Sequence, residues 1–224
     1  MYCRESSEDL RQIVIKQVNN FFCKETRIPL AMVEQALKRT EHAFSKAVNK
    51  YYHNESGETV FDRMHSVQYA AFLWFLSNTL SEEADFKDSA TDVYYLNKVL
   101  HSVDWYHEIA LPAIWRAEHP VGTVLGRAQY DDYFVFYQNC TVGGVRRQGS
   151  LIYPVLGHHV HMGAGASVLG DSKIGNYVII GAETYIVSET IPDCCIVCGR
   201  TPDLRIIQKP QDEMQKRFLE YFID

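Results

Sequence analysis

Between Leu156 and Ile191 apolar residues recur every sixth position. Leu156, Met162, Val168, Ile174, Ile180 and Ile186 each open a hexad, and four residues on stands a small or β-branched one: Val160, Ala166, Ser172, Val178, Thr184, Thr190. An amphipathic helix needs apolar positions every three to four residues, and a half-buried strand needs every second one. A period of six satisfies neither. It suits a coil with three flat faces, each turned after six residues, and short hexapeptide periods are a signature of the parallel β-helix. The lead residues are expected to stack inside the prism, and the small residues to fit its corners.

Upstream the period continues less regularly. Leu125-Gly126, Tyr130 to Val135, Phe136 to Thr141 and Val142-Gly143-Gly144 read as further hexads, and the step from Leu125 to Tyr130 is one residue short. The segment GGVRRQGSLIY (143–153) breaks the period, and its glycines and arginines predict a loop leaving the prism. Loops on a rigid scaffold are where binding residues gather.

The first half of the chain follows a helical period instead. Glu8 to Phe22 and Ala31 to Tyr52 have apolar residues at helical spacing, with Pro29 at the start of the second. Asn54-Glu55-Ser56-Gly57 is a turn. A strongly apolar helix is expected around Val60 to Leu80, a charged break at Ser81 to Lys87, and a further helix from Ala90 to His107. After the prism only Gln211 to Tyr221 has helical character. The predicted fold class is α+β: an α-helical domain over 1–115, a parallel β-helix over 116–203, and a tail over 204–224 with a short helix.

Length and charge narrow the function. At 224 residues, 46% of them hydrophobic, the chain can build a substantial core. A formal charge of -6 argues against nucleic acid as a partner, since phosphate binding needs a basic surface. The N-terminal MYCRESSEDL has no apolar signal segment, and the longest apolar run, Tyr69 to Leu76, is too short for a bilayer. A cytoplasmic protein without membrane association is expected. Its cysteines (3, 23, 140, 194, 195, 198) are then reduced thiols. Cys195-x-x-Cys198 lacks the second ligand pair a zinc site needs, so it reads as edge positions of the last coil. His158, His159 and His161 read as histidines packed at a subunit interface, and no metal is expected.

A helical domain followed by a hexapeptide prism resembles serine O-acetyltransferase, within the left-handed parallel β-helix acyltransferases. Particular residues carry the resemblance. Val103-Asp104 lie ahead of Glu118-His119 at the fifteen-residue spacing of the family's Asp and catalytic His, and Leu125-Gly126 follows as the next aliphatic-Gly hexad. The family's Gln-x-x-Thr-x-Gly-Gly segment appears as Gln138 to Gly144, and its Gly-Ala-Gly-Ala hexad as Gly163 to Ala166. The likeness covers about residues 100 to 202 well and the helical half in outline only.

The resemblance implies transfer of acetyl from acetyl-CoA to a hydroxyl, with no covalent enzyme intermediate and no metal. His119 would be the general base and Asp104 the carboxylate that orients it. Glu118 stands for the family's Asp that meets the acceptor's amino group. Gly143 and Gly144 would supply oxyanion N–H groups. Gly163, Ala164, Gly181 and Ala182 would line the pantetheine, and Arg200 and Arg205 the nucleotide of CoA. The assembly implied is a homotrimer with sites between subunits, the helical domain pairing trimers into a hexamer.

The pattern also departs from the family. Ile152-Tyr153 stand where the family has an Arg-His pair that holds the acceptor, and Tyr51 falls near another acceptor-contacting Asp. Losing the pair removes a bidentate anion clamp, for which Arg146 or Arg147 could substitute beside Tyr153. The chain's last four residues, Tyr-Phe-Ile-Asp, are not the Ile-terminated tail that docks into cysteine synthase, so that complex is not predicted. L-serine leads as acceptor. A sugar or modified amino acid, a zinc-dependent carbonic anhydrase on the same prism, and a non-catalytic scaffold remain as alternatives.

Overall fold

The computed structural model describes residues 1–223 and divides into two compact units. The first comprises Met1–Ser45 and Asn49–Glu108, the second Lys46–Val48 and Ile109–Asp224. Among the described residues no helix is long and apolar enough to cross a membrane.

Four helices build the first unit: α1 (Ser7–Phe22), α2 (Leu30–Ser45), α3 (Ser66–Ser81) and α4 (Lys87–His101). Ser6 opens α1 with a reciprocal capping box to Asp9, and left-handed Cys23 and Ser102 close α1 and α4. Of the sixteen residues of α3 twelve are buried, so it is apolar on all sides and runs through the centre. Trp74, Phe72 and Phe75 supply its bulk.

Three helices are shorter than the pattern predicts. The second ends at Ser45 rather than Tyr52, because Lys46–Val48 belong to the other unit, where Ala47 bridges Phe222 and Val48 donates its N–H to the Tyr221 carbonyl. The apolar helix starts at Ser66 rather than Val60, because Val60–Phe61 pair in parallel with Tyr2–Cys3. The fourth stops at His101 rather than His107, with Asp104–Trp105 already extended.

The second unit is a parallel β-solenoid of about five turns, beginning at Trp115. One face stacks strands 115–117, 134–136, 160–162, 178–180 and 195–197. The next stacks 124–125, 141–143, 167–169 and 185–187. The last stacks 129–130, 155–156, 173–174 and 190–191. Three inward columns follow, each residue at most 8% exposed: Phe136–Met162–Ile180–Val197, Leu125–Val142–Val168–Ile186 and Tyr130–Leu156–Ile174–Ile191. The expected lead residues are thus the core.

The corners hold left-handed residues in register. Gly122, Asn139, Gly165 and Glu183 form one ladder, and Tyr133, His159, Tyr177 and Cys194 another. Thr190, expected at a corner, is exposed. The step from Ile186 to the next inward residue, Ile191, is five residues, so the phase slips by one. The period-breaking segment leaves the solenoid as an antiparallel hairpin, 145–147 against 150–152, turned at Gln148-Gly149. Both turn residues have positive φ, the geometry that matches strand twist in two-residue hairpins. A strand over 203–208 folds back on 195–200, and α5 (Gln211–Phe218) follows.

Candidate active site

The turn carrying His119 is the irregular corner of the solenoid. From Ala117 to Leu125 the chain takes eight residues, where Phe136 to Val142, Met162 to Val168 and Ile180 to Ile186 take six. The two extra residues bulge outward, leaving His119 exposed at φ 48°.

Several site residues share this corner. Backbone bonds place Glu118, Tyr137, Gly163 and Gly181 one above the other, each N–H donating to the strand-end carbonyl of the next turn. Ala164 and Ala182 follow in register, Glu183 donating its N–H to the Ala164 carbonyl. Gly163 has a packing reason of its own: a Cβ there would lie 2.8 Å from the Ala182 nitrogen.

A different edge carries the hairpin group. Gly143 ends a strand of the intervening face, and Gly144 begins the hairpin, where a Cβ would lie 2.7 Å from the Tyr153 ring. Tyr153 therefore seats on Gly144. Arg147 points back along this edge, donating to Asp171 Oδ2 at 3.3 Å and Ser188 Oγ at 3.4 Å. Arg146 donates to the carbonyl of Gly149 in its own turn. Arg200 lies over the Tyr185 ring at the end of the intervening face, while Arg205 stands on the returning strand opposite Cys198. A single chain thus splits its expected site residues between two edges.

Asp104 belongs to the first unit. Its Oδ1 accepts from the Tyr94 hydroxyl and its Oδ2 from Lys98 Nζ, both at 2.6 Å. Burial pushes its carboxyl up, but Lys98 and Tyr94 together outweigh that and hold it below the usual range. The Tyr94 hydroxyl is correspondingly pushed up to about 12, by burial first and by Asp104 second.

Sequence reasoning missed Arg116. It is 6% exposed and lies on the outer side of the first strand. Its guanidinium pairs with the Glu118 carboxylate and donates to the carbonyls of Val48 and Tyr221, each at 3.0 Å. In sequence Trp-Arg-Ala alternates, so Arg116 reads as an outward, solvated position, and its cover comes from residues distant in the chain.

The three histidines at 158–161 are packed by the chain's own residues. His159 is stacked between Tyr133 and Tyr177, at 4.2 Å and 4.5 Å, with Phe218 edge-on. His158 Nδ1 lies 2.9 Å from His159 Nδ1. His161 packs between Tyr137 and Tyr221, and burial, aided by Arg116, pushes it down to about 4. Among the described residues no cluster of His, Cys, Asp or Glu could hold a metal ion. Cys195 is an inward coil residue, its thiol pushed up to about 11 by burial, and Cys198 half-faces solvent.

Comparison with known proteins gives these positions a context. No family model matches the chain. Over 104 residues it is 35% identical to the serine acetyltransferase of Synechococcus elongatus, covering 46% of this chain and 43% of that protein. It is 34% identical over 101 residues to the Mycobacterium tuberculosis serine acetyltransferase, covering 45% and 44%. The match thus spans less than half the length of these relatives. Among solved structures, the serine acetyltransferase of Vibrio cholerae superposes with a TM-score of 0.69 at 19% identity, over 96% of this chain and 83% of that one. A serine acetyltransferase from Brucella abortus in complex with coenzyme A gives 0.64 at 17%, over 92% and 84%. One in complex with cysteine gives 0.63 at 18%, over 92% and 74%. The chain is therefore related in sequence to serine acetyltransferases and has their fold, a helical region followed by a left-handed β-helix.

Proposed function

We propose that this chain is an acetyl-CoA-dependent O-acetyltransferase with L-serine as its leading acceptor. The observation that carries this reading is the 35% identity to a serine acetyltransferase over 104 residues, joined to a shared fold over nearly the whole chain. The co-substrate rests on a structural neighbour holding coenzyme A and on the run of small residues at Gly163, Ala164, Gly181 and Ala182.

In this reading His119 takes the proton from the acceptor hydroxyl as its oxygen attacks the thioester carbonyl. N–H groups near Gly143 and Gly144 stabilise the oxyanion, and the imidazolium returns its proton to the departing thiolate of CoA. Asp104, fifteen residues upstream, is the proposed orienting carboxylate. It is ionised by its bonds to Lys98 and Tyr94, and each of its oxygens keeps a lone pair for an imidazole N–H. Because one chain divides the site residues between two edges, a homotrimer that brings one subunit's edge to its neighbour's completes the site. A cytoplasmic location is part of the same proposal.

The test is thiol release from acetyl-CoA, followed with a chromogenic thiol reagent, for L-serine, homoserine, D-serine and a panel of sugars. His119→Asn should lower turnover by at least about 100-fold with acetyl-CoA affinity unchanged, the usual worth of a general base. Full activity in that variant rejects the base assignment, and failure of the parent chain to bind CoA rejects the transferase reading.

One observation favours a second acceptor class. The charges that would receive a zwitterion are already engaged: Glu118 by Arg116, Arg147 by Asp171, and Arg146 by a backbone carbonyl. An uncharged hydroxyl compound needs none of them. Saturable thiol release with a sugar and none with L-serine would select that reading and keep the chemistry at His119.

A further inference from the structure

On the outer side of the first three strands Arg116, Val135 and His161 stand in one column, since Arg116 is opposite Val135 and His161 follows it. Such positions on a solenoid ordinarily face solvent. Here Tyr221 and Phe222 cover them: Phe222 packs on Val135, and Tyr221 lies 5.0 Å from the His161 ring and 5.8 Å from the Arg116 guanidinium. The backbone fastens the cover, Val48 N–H donating to the Tyr221 carbonyl and Ile223 N–H to that of Lys46.

Arg116 is where this cover meets the His119 turn. Its guanidinium reaches three separate parts of the unit, accepted by the carbonyls of Val48 and Tyr221 and paired with Glu118. Glu118 is the last residue anchored before the bulge, its N–H donating to the Phe136 carbonyl. The groups facing the guanidinium from the packed elements are therefore Glu118, Tyr221 and the neutral His161, with Tyr137 also in its field. Glu118 is the carboxylate among them. A fork of fixed N–H donors holds a carboxylate and two carbonyls at once, which a lysine does not do.

We propose that Arg116 is the positioning residue of the His119 turn: it fixes the Glu118 carboxylate, sets the charge beside His119, and makes the docked C-terminal segment part of the frame that holds the turn. The consequence for catalysis rests on His119 being the base. The consequence for charge beside His119 does not.

The deciding measurement is a proton-NMR pH titration of the His119 imidazole, its resonance assigned by its loss in His119→Asn. The parent chain is compared with Arg116→Met and with Glu118→Gln. Removing the cation should move the titration midpoint up, and removing the carboxylate should move it down. Acetyl transfer in Arg116→Met should fall about tenfold in kcat with the acetyl-CoA KM unchanged, and Arg116→Lys should recover part of it. Midpoints that stay put in both variants overturn the proposal, whatever happens to activity. If Arg116→Met does not fold, Glu118→Gln decides alone, since it keeps the volume and leaves Arg116 its two carbonyls. Midpoints that move in a chain that transfers acetyl to no acceptor uphold the positioning role and reject the transferase reading.

Discussion

The helical unit and the solenoid reach equally dry interiors by opposite routes. In the first, one helix buried on all sides collects large aromatics of irregular shape, so each core position is unique. In the second, each inward residue meets its equivalents one turn above and below, so a column is a one-dimensional stack, mostly aliphatic, with the aromatic rings of Tyr130 and Phe136 in its early turns. A repeat stack tolerates local change but transmits a charge or a slip to its neighbours, whereas a jigsaw core concentrates its energy in a few side chains. The candidate chemistry follows this division. His119 lies where the repeat is interrupted, and Asp104 lies in a local network of Tyr94 and Lys98 within the helical unit.

Substitutions sharpen the contrast. The largest expected effect is Val168→Asp, which buries a carboxylate between Val142 and Ile186 and should cost about 4 kcal/mol or more. Chemical denaturation checks it, and a loss under about 1 kcal/mol would mean the column is not packed as described. Phe72→Ala in α3 should cost about 3–5 kcal/mol, against about 0.5–1.5 kcal/mol for Ile180→Val in the stack. Comparable costs for the two would erase the distinction between the cores.

Acid should weaken both units through half-buried histidines, His101 in the first and His161 in the second. His101 and His161 are pushed down from 6.5 to about 4 by burial, His161 further by Arg116. The unfolded chain then binds more protons between those values. The stability from keeping each ring neutral is fully present above pH 6.5 and is lost as pH falls toward about 4, by up to about 1.4 kcal/mol per pH unit for each. Urea melts of His101→Phe and His161→Phe at pH 7 and pH 4.5 should each show a flatter pH dependence than the parent; an unchanged slope would mean the ring is already hydrated. The smallest effects concern backbone sign. Gly170→Ala, at φ 73° in a solenoid corner, should lose about 1 kcal/mol. Cys23→Gly, at φ 52° closing α1, should gain about 0.5 kcal/mol, both read from urea melts.

Much of the solenoid was legible because its signal is local. Columns such as Leu156–Ile174 and Met162–Ile180 follow from side-chain type at fixed spacing, whatever else the chain does. The segment after Gly144 was legible as a loop leaving the prism, whereas its hairpin pairing about Gln148-Gly149 emerged only in the structure. What escaped reading depended on distant partners. Lys46–Val48 continue a helical pattern in sequence, yet are drawn off by Tyr221 and Phe222. Val60–Phe61 are apolar enough for a helix, yet extend because Tyr2–Cys3 offer a ladder.

The sequence by itself determined the succession of helices and hexads, the inward columns from Leu125 to Ile186, and a kinship to serine acetyltransferases carried by Gln138–Gly144 and Gly163–Ala166. Those features depend on residue type and short spacing, which any reading of the chain contains. Tertiary structure decided that two extra residues at one corner push His119 outward, that Arg147 is tied to Asp171, and that Arg116 is buried and paired with Glu118. A charged residue on an outward position looks solvated in sequence. Only the folding of residues 46–48 and 221–222 over it removes the water, and that turns an ordinary surface arginine into a fixed charge paired with Glu118, the residue before the candidate base.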